Sequence, residues 1–177
     1  RSALDAMLVE LIEVLARAGV PVDDYLRVNK AGVGLCSKNN FWLDVFEFES
    51  ACASSDLLVL QSAVQVYQGL FMTGNDDAWC LRERQRLDKC YILALRTLIH
   101  LTRQAPMYHI TAVLAENYLQ RDPANEEIQA ALLEALSCQG NLVGMIEHYK
   151  QYCEWLTAQG QAQPAPELKR LYQQLVL

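Results

Sequence analysis

The 177-residue chain carries 15 Lys+Arg against 21 Asp+Glu, a formal net charge of −6 at pH 7, with 52% hydrophobic and 20% charged residues. This is globular composition on a chain long enough for one well-packed domain with a small appendage, which excludes wholesale disorder, a collagen-like chain and a disulfide scaffold. The acidic balance also argues against coating nucleic acid through overall charge, because phosphate affinity comes from clustered Lys and Arg.

From Ser2 to Arg17, Met7, Leu8, Leu11, Ile12 and Leu15 recur at the i, i+3, i+4 spacing of an amphipathic helix, closed by Gly19 and Pro21. Tyr25 to Val28 and Val33 to Cys36 flank Asn29-Lys30-Ala31-Gly32, turn chemistry between two short strands and the only strand signal in the sequence. Beyond Asp44 the pattern is helical to the end, with helices expected at about 44–53, 56–70, 77–103, 106–120, 125–139, 141–158 and 165–176. Each break carries a helix stop or a fresh cap, such as Asp122-Pro123-Ala124-Asn125 and Gly140-Asn141. Short connections between helices of this length imply antiparallel neighbours.

The longest uncharged stretch, residues 57–75, has Gln61, Ser62, Gln65 and Gln68 between its apolar positions and reads as an amphipathic helix with its turn, so no membrane span is expected. Six cysteines lie in otherwise apolar segments without any C-x-x-C, the pattern of reduced structural thiols in a cytoplasmic protein. The sequence opens at Arg1 with no leader pattern and is expected to be a piece of a longer polypeptide. Tyr152 follows Tyr118 by 34 residues, each late in an expected helix, a period that suits tetratricopeptide-like repeats.

Trp42-Leu43-Asp44-Val45, Phe48-Glu49, Tyr67-Gln68-Gly69, Asp77-Ala78-Trp79 and Glu83-Arg84-Gln85-Arg86-Leu87 stand in an order that resembles the bacterial transcriptional activation domain. Arg121 to Glu127, Gln139-Gly140-Asn141 leading to His148-Tyr149, and Pro164 to Leu168 before Leu171-Tyr172 continue it. The resemblance implies an all-α, tetratricopeptide-like array of antiparallel helix pairs over residues 42–177. It further implies that residues 1–41 are a remnant of a winged helix, its last helix and terminal hairpin. In that family the recognition helix is rich in Arg, whereas Ser2–Arg17 carries Asp5, Glu10 and Glu13 with Arg17 its only base. Phosphates would repel such a helix, so direct DNA contact by this segment is not the expected function and stands only as a second alternative to partner docking and anion sensing.

No nucleotide-binding, nucleophile-elbow or metalloprotease motif is present, and His100, His109 and His148 lack neighbours at metal-ligand spacing. Neither catalysis nor a cofactor or metal is therefore expected. Glu126-Glu127 reads as a favourable pair at a helix start.

On the helix expected at 77–103, Leu87, Tyr91, Ala94, Leu95, Leu98 and Leu101 gather on one side, and Arg82, Arg86, Lys89, Arg96, His100 and Arg103 on the other. Such a face is commonly just solvated. Its functional reading is a docking strip in which Arg82, Arg86, Lys89, Arg96 and Arg103 receive an acidic partner or an anionic small molecule of the nucleotide-messenger type. Arg84 falls on the apolar side, which requires a partner; Asp44, Glu47 and Glu49 are the expected candidates for a structural ion pair. Most aromatic residues suit a core, while Tyr108, Asn117, His148 and Tyr149 are candidates for the inner groove that stacked helix pairs create. The resulting expectation is a non-catalytic interaction module of a cytoplasmic bacterial transcription regulator, engaging a protein partner, another copy of itself or a small effector.

Overall fold

The computed structural model describes residues 2–29, 32–36, 42–160 and 163–177. The chain divides into two compact units, Arg1–Leu43 and Asp44–Leu177. In the first, α1 (Ser2–Arg17) is followed by the single turn α2 (Val22–Tyr25) and an antiparallel hairpin, β1 (Leu26–Asn29) and β2 (Gly32–Leu35). The register pairs Leu26 with Leu35 and Asn29 with Gly32. Lys30 and Ala31 of the expected turn lie outside the described residues. The sequence pattern did not anticipate α2, where Pro21 holds the cap and Asp23 and Asp24 sit in the first turn, a favourable place for acids.

The second unit is an array of helices: α3 (Asp44–Cys52), α4 (Leu57–Val66), α5 (Ala78–Gln104), α6 (Tyr108–Leu119), α7 (Glu126–Cys138), α8 (Leu142–Ala158) and α9 (Pro166–Val176). Their starts follow local chemistry. The Asp56 carboxylate accepts from Leu58 N and Val59 N, Asn125 Oδ1 from Ile128 N, and Asn141 Oδ1 from Gly144 N. Gly140, at φ 72, takes the left-handed step that ends α7. The helix expected to reach residue 70 stops at Val66, because Tyr67 leaves the helical conformation to stack on Tyr91 (centroids 4.2 Å apart) and donate to Asp88 at 3.1 Å.

Neighbouring helices pack in sequence from α3 to α8, and α3, α5, α7 and α9 also touch one another in order, forming one row of a tetratricopeptide-like array; α4 and α6 lie in the other. The core runs through both rows, with Leu87, Leu95 and Leu98 of α5, Leu114 of α6, Leu132 and Leu133 of α7 and Met145 of α8 all buried. Two polar staples cross it. Arg121 lies over the Tyr91 ring, 4.6 Å from its centroid, and donates to Asp88 at 3.2 Å, tying the α6–α7 turn to α5. Glu126 Oε1 accepts from Tyr152 Oη at 3.2 Å and from Ala165 N at 2.8 Å, tying α8 and the start of α9 to α7.

Candidate functional site

A stripe of Trp79, Arg82, Arg86, Lys89, Leu93, Arg96, His100 and Arg103 runs the length of α5 at alternating steps of three and four residues, so it keeps to one side of the helix. All eight residues are exposed, opposite a buried face of Cys80, Leu87, Tyr91, Leu95 and Leu98. Two are large and apolar: Trp79 is 50% exposed and Leu93 62%.

The five expected bases divide into two groups. Arg86 is clasped by Glu83 and by Glu49 of α3, and its guanidinium is held charged well above its ordinary range by hydrogen bonds to those carboxylates. Arg96 pairs with Glu127, and Arg103 with Glu134 at 2.6 Å. Both α7 acids stand 31 residues after their arginines, so these are rungs one heptad apart that bridge α5 and α7. Arg82 and Lys89 have no carboxylate partner among the described residues. The strip expected to present five cations therefore presents two unpaired ones, two turns apart, between the apolar Trp79 and Leu93.

Arg84 corrects another expectation. Its partners are not Asp44, Glu47 or Glu49. Its side chain, 16% exposed, donates from Nε to Phe71 O and from Nη2 to Met72 O and Asn75 O, each at 2.9 Å, with exposed Asp76 at 3.8 Å. The α4–α5 loop turns its carbonyls inward, with Met72 at a left-handed φ of 45, and a fork of N–H donors satisfies them. Loop carbonyls carry no signature in sequence, which is why the carboxylates appeared the natural partners.

The groove candidates do not gather in one place. Tyr108 lines a cleft of about 500 Å³ with His100, Arg103 and Gln104 of α5, Thr111 of α6, Ala131, Glu134, Ala135 and Cys138 of α7 and Leu175 of α9. Asn117 lines a different cleft of about 280 Å³ between α4 and α6, with Leu57, Gln61, Val64, Ile110 and Val113 around it and Leu98 and Thr102 beneath. His148 and Tyr149 line neither. His148 Nε2 meets Gln129 Oε1 at 2.6 Å, Gln129 Nε2 donates to Pro123 O at 2.9 Å, and burial pushes the imidazole pKa below its ordinary value. Tyr149 stacks face to face on Tyr172 at 3.8 Å, and burial lifts its phenol to about 12. Both serve the packing of α7, α8 and α9.

The two clefts stand back to back. Thr111 lines the larger and Thr102 the smaller, and Thr111 Oγ1 donates to Thr102 Oγ1 at 2.9 Å, which in turn donates to Ile99 O at 3.1 Å. Both threonines are almost completely buried. Among the described residues no cluster of His, Cys, Asp and Glu is disposed to hold a metal, and no described helix is long and apolar enough to cross a membrane.

The helical array and its capped turns coincide with a family model, the bacterial transcriptional activator domain, which matches residues 48–176. The chain belongs to this family. The match spans α5 and both clefts, and it makes residues 48–176 a transcription-activator domain of a bacterial regulator. No curated protein matches the sequence. Within this activator domain, the long helix whose bases are partly engaged and partly free is the feature that distinguishes one face from the others.

Proposed function

We propose that this activator domain is a non-catalytic docking module that holds an acidic segment of a partner protein along the outer face of α5, within a cytoplasmic transcription regulator. The observation that carries the reading is the stripe itself. Among the described residues Arg82 and Lys89 have no carboxylate partner, while exposed Trp79 and Leu93 alternate with them on the same line. Unpaired cations set among apolar side chains suit a partner that offers carboxylates between apolar residues, since charge complementarity steers and orients while buried apolar area supplies affinity. A nucleotide-type anion is the weaker reading, because the neighbouring guanidinium that it would need, Arg86, is already held by Glu49 and Glu83. The N-terminal unit, with an acidic α1, serves the parent regulator in some way other than gripping DNA through that helix.

The test uses the whole regulator in its host cell, with a photo-crosslinking amino acid at Leu93. A partner adduct should form with the native sequence and fall at least tenfold in Arg82→Glu with Lys89→Glu, at an unchanged melting temperature. No adduct at Leu93, or one that survives the charge reversal, sinks the reading.

A further inference from the structure

The stripe does not simply end at the last turn of α5. His100 and Arg103, its final members, are also wall residues of the 500 Å³ cleft, so anything lying along the stripe from Arg82 and Lys89 is led into that cleft. The chemistry changes on the way. At Arg82 and Lys89 the surface offers unpaired positive charge, whereas in the cleft Arg103 is neutralised by Glu134 at 2.6 Å. The depth of the cleft is made of small residues, Ala131 and Ala135, which are buried and leave the space that larger side chains would fill. The single proton of its deep hydroxyl, on Thr111, is shared between two acceptors, Thr102 Oγ1 and Met107 O, so the Thr111 hydroxyl has no donor to spare for a guest. Leu175 adds an apolar wall, and His100 and Gln104 bond each other at the mouth at 2.9 Å. A cavity of this size and lining accepts a bulky apolar group and rejects a charged one, which would leave its water without replacement.

We infer that the cleft bounded by α5, α7 and α9 is the anchor pocket for a large apolar side chain of the same acidic segment. The partner is then recognised at two points, by carboxylates on Arg82 and Lys89 and by a buried anchor beside Tyr108 and Leu175. This inference rests on the docking function proposed above and adds a spacing to it. From Lys89 to the cleft residues His100 and Gln104 is about 17 to 22 Å along the helix at about 1.5 Å per residue. An extended partner covers that in about five to seven residues at about 3.3 Å each, and a helical one in about eleven to fifteen.

The experiment is selection of random 20-residue peptides displayed on phage against the intact chain at low salt. Enriched peptides should carry acidic residues and one bulky apolar residue at one of those two spacings. Replacing that residue by Ser should weaken binding at least tenfold. Cys138→Trp, which fills the cleft from an exposed position on its rim, should do the same, and Gln104→Trp provides a second filled variant if the first does not fold. Enriched acidic peptides that show no preferred apolar position and ignore both tryptophan variants would overturn the anchor pocket and leave the docking function standing. Enrichment of peptides without acids, or loss of all enrichment, would overturn both.

Discussion

The two halves of α5 use their charged residues differently. In the C-terminal half, Arg96 and Arg103 meet Glu127 and Glu134, because α7 presents an acid every seven residues in step with the arginines of α5. In the N-terminal half, Arg84 is taken by loop carbonyls and Arg86 by Glu49 and Glu83, while Arg82 and Lys89 find no acid on the neighbouring helices. One stripe thus carries cations that hold the array together at one end and cations left for another molecule at the other. The difference teaches that a basic face is not a property of one helix. What decides which bases remain available is the register of acids on the helices beside it.

The largest expected effect comes from Arg84, the half-buried base of the N-terminal half. Arg84→Ala removes the donors for three loop carbonyls and should cost about 2–4 kcal/mol in chemical denaturation. A loss below about 1 kcal/mol would mean that water replaces the guanidinium and that the loop does not depend on it. Next is the wall between the clefts. Thr111→Val keeps the shape and deletes the hydroxyl donated to Thr102, for an expected loss of about 1–2 kcal/mol. If stability is unchanged, the hydroxyl pair contributes nothing that a methyl group cannot supply.

A smaller effect should come from the C-terminal rungs. A double-mutant cycle with Arg103→Ala and Glu134→Ala should give a coupling below about 1 kcal/mol, since both side chains are 36% exposed and screened by solvent. A coupling of zero would return Arg103 to the free group and erase the contrast between the halves. The finest test is a carboxylate titration followed by NMR. Hydrogen bonds from Arg86 hold Glu83 below its ordinary 4.5, so its stabilising contribution is present above that value and is lost as pH falls through the lowered one. Arg86→Ala should bring the titration of Glu83 back to about the ordinary carboxylate range.

Helix positions were readable because their causes are local. Asn125 and Asn141 cap the helices that begin after them, Gly140 ends one, and the apolar spacing in residues 77–103 matches the buried face of α5. The family resemblance rested on the same local landmarks and agrees with the matched residues 48–176. What could not be read was the pairing across the array. The rungs from α5 to α7 span 31 residues, and the carbonyls that hold Arg84 belong to a loop whose conformation no side-chain pattern announces. Tyr108 and Asn117 are a different case: nine residues apart on α6, they stand about 180° apart at about 100° per residue, so the helical wheel already separates them, and they line different clefts. The clefts themselves left one faint trace, the small residues Ala131 and Ala135 on α7, which in sequence are indistinguishable from ordinary helix formers.

The carboxylate of Glu126 has a further effect on how the array comes apart. A single oxygen accepts from Tyr152 on α8 and from the backbone at Ala165 before α9, so the two closing elements are anchored at one atom. Opening events at the C-terminal end should then be shared: the amides of α8 and α9 exchange with solvent as one cooperative unit, at a lower free energy than those of α5 and α7. Because α9 contributes Leu175 to the wall of the larger cleft, that same unit governs how often the cleft exists in its closed form.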